Sequence, residues 1–108
     1  MIIDFEKAEE LIKDHLHGGE EYVSLKSCRE NGLKTDLMRI PAGGSIGSHY
    51  HADSKELDYI ISGEGTVIID ELTEFLYPGV LHICSKGSMH SILNTGDEDL
   101  LFLSIIIE

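Results

Sequence analysis

The hydrophobic pattern changes period once along this chain. Phe5, Ala8, Leu11, Ile12 and Leu16 recur at helical spacing behind Asp4, a favourable N-cap residue, and Gly18-Gly19 would end the run. This predicts one short helix over about residues 5–17. From about residue 21 to 107 the pattern is instead a series of short β-prone segments punctuated by Gly, Asn, Asp and Pro. They run from Tyr22 to Cys28, Leu33 to Ile40, Ile46 to His51, Leu57 to Ile61, Thr66 to Ile69, Glu74 to Tyr77, Leu81 to Cys84, His90 to Leu93 and Leu100 to Ile107. Gly63-Glu64-Gly65, Pro78-Gly79 and Asn94-Thr95-Gly96-Asp97 read as turns between them. So many short strands imply an all-β antiparallel sandwich or barrel. Without a repeat or linker, residues 1–108 are expected to form one domain.

Composition narrows the partners. A hydrophobic content of 42% with no apolar run near the roughly 20 residues of a membrane-spanning helix excludes a helical membrane protein. The start, Met1-Ile2-Ile3-Asp4, lacks the basic and apolar segments of a secretory signal, which places the chain in the cytoplasm. A formal net charge of −12 argues against nucleic acid, anionic membrane surfaces and polyanions, which it would repel at long range, but permits a small anion held on a metal. In a reducing compartment Cys28 and Cys84 are expected to be free thiols, with Cys84 a packing residue in its strand.

The candidate chemistry lies in a spaced set of donors. His49 and His51, at i and i+2, share one face of a strand, and Glu56 follows a polar, turn-like stretch, Ala52-Asp53-Ser54-Lys55. A lone His-x-His pair arises by chance; with Glu56 and the downstream His90 the set is able to close around one ion. Three imidazoles and a carboxylate suit one divalent transition metal ion, manganese, iron, nickel, cobalt or zinc, better than a thiolate-loving metal. Four protein ligands leave positions open on an octahedral ion, as a catalytic site requires.

Gly43, His49, His51, Glu56 and Gly63 also follow the first motif of the cupin superfamily: Gly, five residues, His-x-His, three or four residues, Glu, six residues, Gly. Gly79, Gly87, His90 and Asn94 follow its second, with Ser85 where proline is usual. Serine there relaxes a fixed φ before the turn and need not touch a ligand. The chain thus resembles the cupins from about Leu33 onward. Gly18-Gly19-Glu20 and Ser45-Ile46-Gly47 are similar to small single-domain bacterial cupins, some described as oxalate-decarboxylase-like. The resemblance implies a double-stranded β-helix, or jelly-roll, cupin barrel with a short N-terminal helix, with His49, His51, Glu56 and His90 lining its interior. It also implies a homodimer, in which the strands Leu100 to Ile107 and Tyr22 to Leu25 would cover open edges.

Other residues carry two readings each. Regular alternation aims Asp58 at the interior beside Glu56, as a proton acceptor or a partner of a ligand, whereas a bulge would turn it to solvent. Arg39, at a strand end, either clamps a carboxylate substrate from inside or faces water. His82 is expected at solvent or a subunit contact, Tyr59 to pack on the opposite strand face, and Asn94 to satisfy turn backbone groups. His15 and His17 would interact with the last helical carbonyls, and Glu9 would pair with Lys13 on a solvated acidic helix face. Together these features predict a metal-dependent enzyme (oxygenase, decarboxylase, isomerase or lyase) acting on a small polar or carboxylate molecule. The alternative is a non-catalytic, metal-assisted small-molecule binder or sensor; a purely structural barrel sits poorly with four retained ligands.

Overall fold

The computed structural model describes residues Met1–Glu108 as two facing antiparallel sheets. The strands are β1 Glu10–Asp14, β2 Tyr22–Glu30, β3 Leu33–Ile40, β4 Ser45–Tyr50, β5 Lys55–Ser62, β6 Gly65–Ile69, β7 Leu72–Leu76, β8 Leu81–Cys84, β9 Met89–Leu93 and β10 Leu100–Ile107. The larger sheet has the order β1-β2-β3-β10-β5-β8 and the smaller β4-β9-β6-β7. This is the expected jelly roll, and each strand anticipated after residue 20 is present, β3, β8 and β10 with the expected ends and the others with ends shifted by one or two residues.

The N-terminal helix does not form. Residues Phe5–Lys7 make a single 3-10 turn, with the Asp4 side chain accepting the backbone N–H of Glu6 at 3.0 Å, so the N-cap reading of Asp4 holds while the helix it would start does not. Glu10–Asp14 is β1, paired with β2 from Glu10↔Lys26 to Asp14↔Tyr22. All five β1 residues are exposed, so no apolar stripe is available to dock a helix, and the backbone is satisfied by the edge of a sheet instead. The helical spacing of Glu9 and Lys13 is lost with it. A second 3-10 turn, Leu16–Gly18, follows.

Alternation divides the interior into two ends. Along β5 the inward residues are Glu56, Asp58 and Ile60; along β9, His90 and Ile92; along β10, Leu100, Phe102 and Ser104. The register places Ser104 opposite Asp58 and Phe102 opposite Ile60, so polar residues gather at one end and apolar residues at the other. The apolar end is a core of Val23, Met38, Ile40, Ile60, Leu100 and Phe102 from the larger sheet, packed on Ile46, Val67, Leu76 and Ile92 from the smaller. Ten of the 25 buried residues are polar, too many for structural hydrogen bonding to be the obvious reason for all of them. The expected edge role of two strands is corrected: β10 lies between β3 and β5, and β2 between β1 and β3, because both already use their hydrogen-bonding edges within the chain.

Two glycines seat the N-terminal segment against the barrel. A Cβ on Gly19 would collide with the carbonyl of Ser45, and one on Gly47 with the carbonyl of His17. Backbone bonds from Ser45 N to Glu20 O (3.0 Å) and from Glu20 N to the Ser45 hydroxyl (2.8 Å) fix the same approach. Gly47→Ala should therefore cost about 1–3 kcal/mol through a clash that no side-chain rotation relieves. Urea unfolding measures it, and a variant as stable as the parent would show that the two segments do not need this contact.

Candidate metal centre

The four donors come from both sheets. His49 is on β4 and His90 on β9 of the smaller sheet, opposite one another in register. Glu56 is on β5 of the larger sheet, and His51 follows the end of β4, held by backbone bonds to Ser88 (3.0 Å) and Gly87 (2.6 Å). The four side chains bring one ligand atom each within 4.8 Å of one another. His90 Nε2 is the hub: it lies 2.9 Å from His49 Nε2, 3.2 Å from His51 Nε2 and 3.3 Å from Glu56 Oε2. Glu56 Oε1 is 3.3 Å from His51 Nε2.

The hydrogen-bond partners outside the cluster decide what these atoms can do. Nδ1 of His49 is 2.8 Å from the carbonyl oxygen of Gly47, which can only accept, so Nδ1 carries the proton and Nε2 presents a lone pair. That lone pair faces other imidazole nitrogens and a carboxylate at close range. Acceptors aimed at one another repel unless a cation lies among them, so the donor set fits a divalent ion.

The charge states agree. Burial lowers the pKa of His90 to about 4, with Glu56 opposing and the neighbouring histidines adding to the shift. Burial lowers that of His49 too, against the Gly47 hydrogen bond. At Glu56 burial pushes upward but is outweighed by hydrogen bonding, chiefly from His51, and by the nearby histidines, so its carboxyl titrates below the usual range. Asp58 is driven up, first by burial and then by Glu56. At neutral pH the cluster thus offers neutral imidazole at His49 and His90 and a single ionised carboxylate, the forms that bind metal.

Asp58 takes the inward of its two readings, 1% exposed, with neither carboxylate oxygen hydrogen-bonded. It lies behind the ligands next to His82 and His90, off the cavity wall. Arg39 takes the outward one: with Met38 and Ile40 pointing in, it points out and pairs with Asp99 at 3.2 Å, so it forms no substrate clamp. The expectation for His82 is corrected. It is 2% exposed, since Leu81 and Ile83 take the outer face and His82 and Cys84 the inner. His17, expected to end a helix, stacks on the His49 ring at 4.3 Å between centroids. Asn94 serves its turn as expected, donating to the carbonyls of Ile40 and Glu98, both at 2.8 Å. Cys28 and Cys84 are free thiols, and burial, with Glu56, Asp58 and Asp70, pushes Cys84 up to about 12, so it is an inert packing group.

A cavity of about 330 Å³ reaches the cluster at His49, His51 and Glu56. Its walls carry apolar Leu25, Met38, Ile46 and Ile106, and Lys13 and Lys34 also line it. Asp36 shares the cavity but is held by Ser27 and by Arg29 at 3.2 Å. No sequence pattern marked Lys13, Lys34 or His17 as cavity residues: the pairing of β1 brings Lys13 there, the Gly19–Gly47 approach His17, and the register of β3 with β10 Lys34.

Fold and site together define a double-sheeted β-barrel with a His/Glu centre at the base of an open cavity. The cupin domain family matches residues 36–106, and the chain belongs to it. A relative named "Oxalate-binding protein" from Thermotoga maritima is 39% identical over 70 residues, 65% of this chain, and the chain spans 58% of that relative's length. The crystal structure of a predicted oxalate decarboxylase from the same organism superposes with a TM-score of 0.93 at 28% identity, covering 99% of this chain and 98% of that one. A sugar phosphate isomerase of the cupin superfamily from Silicibacter pomeroyi shares the fold, with a TM-score of 0.81 at 18% identity over all of this chain and 76% of that one.

The depressed basicity of His90 gives a pH signature in chelator-stripped protein. The unfolded chain takes up a proton at His90 below its ordinary value of 6.5, the folded chain only below about 4, so stability falls as pH drops through that window. The loss should be ~3 kcal/mol for this buried ring, complete below the lower value. Urea unfolding from pH 7 to 4 should show this slope, and His90→Gln should flatten it; equal slopes in the two proteins would contradict the assignment.

Proposed function

We propose that the chain holds one divalent transition metal ion, manganese, iron, nickel, cobalt or zinc, on His49, His51, Glu56 and His90, and uses it as an enzyme on a small carboxylate or other enolisable polar acid. The observation that carries this reading is the meeting of bare imidazole and carboxylate lone pairs at the base of a cavity whose other polar walls include two lysines. Bound there, the ion would supply a Lewis acid or a centre for dioxygen, with positions left open to a ligand.

The residues around it suit an anionic substrate. A neutral Asp58 leaves Glu56 as the one charged carboxylate in the cluster, so a divalent ion keeps a net positive charge. Lys13 and Lys34 add positive charge along a cavity that Asp36, held by Arg29, and Glu108 also line, and the apolar wall of Met38, Ile46 and Ile106 strengthens the attraction of an anion to the ion. Asp58 acts from behind the ligands, by keeping Glu56 the charged partner, instead of by taking a proton from substrate directly.

A relative named for binding oxalate favours a second reading, in which the barrel holds a small dicarboxylate on its metal without transforming it. In either case the protein works as a cytoplasmic homodimer. The two free thiols suit a reducing compartment, and Tyr59, Ile61, Leu81 and Ile83 form an exposed apolar face outside β5 and β8 that a second copy would cover. No helix is long and apolar enough to cross a membrane.

Protein purified without chelator should contain one transition metal ion per chain, and incubation with a panel of small carboxylic acids should consume one of them. Loss of substrate only under air marks an oxygenase, equal loss under air and nitrogen marks a decarboxylase, isomerase or lyase, and saturable binding without loss marks the binder. His51→Ala should lower metal occupancy at least ~10-fold with the far-ultraviolet spectrum unchanged. Full occupancy in that variant would remove His51 from the ligand set.

A further inference from the structure

His90 reaches the candidate centre through Nε2, and its other nitrogen is held by a chain of side chains running to the surface. Its Nδ1 lies 3.0 Å from Nε2 of His82, and Nδ1 of His82 lies 2.8 Å from Glu74 Oε1. His82 and His90 are buried with their rings stacked at 26°, while the Glu74 side chain is 51% exposed. Glu74 sits on β7, the edge of the smaller sheet, and His82 on β8, the edge of the larger, so the chain also ties the two sheets together.

The chemistry of the three groups sets one direction. An ionised carboxylate only accepts, so the proton between Glu74 and His82 is on Nδ1 of His82. The Nε2 of a neutral His82 is then an acceptor, and the proton between the rings is on Nδ1 of His90. Nε2 of His90 is left with its lone pair facing His49, His51 and Glu56. The reverse order would set a bare imidazole nitrogen against the Glu74 carboxylate at 2.8 Å and place a proton on the nitrogen at the hub of the cluster.

We propose that His82 and Glu74 are positioning residues for the metal centre, a surface carboxylate fixing, through one buried imidazole, the tautomer and ring angle of His90. This rests on the metal reading of the cluster. Of the three imidazoles, His90 alone takes its outer partner from another ring, which itself needs a partner to fix its tautomer. Gly47's carbonyl fixes His49 from within the same strand, and Ser54 meets His51 Nδ1 at 3.4 Å. Ions compete for the same atoms in one other arrangement: Asp58, His82 and His90 also offer donor atoms within 4.8 Å of one another. A second ion there would need Nδ1 of His90 bare, which the donor chain forbids.

The test uses cobalt(II) as the probe, titrated into chelator-stripped full-length protein with a competing chelator to fix affinity and the visible d–d spectrum to report ligand geometry. Wild type should bind one ion per chain. His82→Phe should weaken binding roughly 10–100-fold and alter the spectrum, and His82→Gln, which again offers His90 an acceptor, should restore most of both. Glu74→Ala, a surface change that spares the interior even if His82→Phe folds poorly, should weaken binding by at least ~3-fold and shift the spectrum the same way. Wild-type affinity and spectrum in Glu74→Ala, no recovery in His82→Gln, or two ions per wild-type chain would each overturn the proposal. A wild type that binds no cobalt would instead sink the metal reading on which it stands.

Discussion

Three imidazoles and a carboxylate, drawn from two sheets and aimed at a common point, set the requirement that the rest of this molecule meets. Acceptors gathered at the base of a cavity repel one another, and the folded chain holds them together because the surrounding structure is well packed and the outer nitrogens have partners of their own. The apolar end of the barrel, from Ile40 and Ile60 to Phe102, supplies that packing. Carbonyl, hydroxyl and carboxylate groups outside the cluster then set which ring nitrogens are bare: Gly47 for His49, and Glu74 by way of His82 for His90. A cation would satisfy the resulting arrangement, and one carboxylate, Glu56, would offset part of its charge because Asp58 is driven toward its neutral form.

The same constraint explains the polar row inside the larger sheet. Asp36, Ser104, Asp58 and His82 face one another across successive strands, an arrangement that would be unfavourable in a purely structural barrel. Their register follows from the alternation of β3, β10, β5 and β8, whose opposite faces carry Leu37, Leu103, Tyr59 and Leu81. The N-terminal segment completes the arrangement from the other side. By pairing β1 with β2 and passing Gly19 against Gly47, it brings Lys13 and His17 to the cavity and sets a cationic side chain in the wall of an otherwise acidic chain.

Much of this was legible in the sequence, and the rest was not for identifiable reasons. The strands after residue 20 were readable because turn residues separate them, and the spacing of Gly43, His49, His51, Glu56 and Gly63 fixes two strands and the turn between them. The spacing of Phe5, Ala8, Leu11, Ile12 and Leu16 suits a helix, but the edge of β2 offers the backbone of residues 10–14 a ladder, and pairing outweighs propensity. Arg39 could have been settled by its inward neighbours Met38 and Ile40, and His82 by the apolar Leu81 and Ile83 around it, had the phase of those strands been known. That phase is fixed by cross-strand pairing, Asp58↔His82 and Glu56↔Cys84 in the case of β8, which no local pattern reveals. Glu74 was invisible for the same reason: on sequence it is one acidic residue among many on an edge strand, and only the closure of the barrel sets it against His82.

X-ray absorption at the metal edge of the manganese- or cobalt-loaded protein reads directly what surrounds a bound ion. His49, His51, His90 and Glu56 should give a mixed shell with three imidazole nitrogens, recognisable by outer-ring scattering, and at least one carboxylate oxygen, all at ~2.0–2.2 Å. A shell of oxygen atoms alone, with no imidazole scattering, would contradict it.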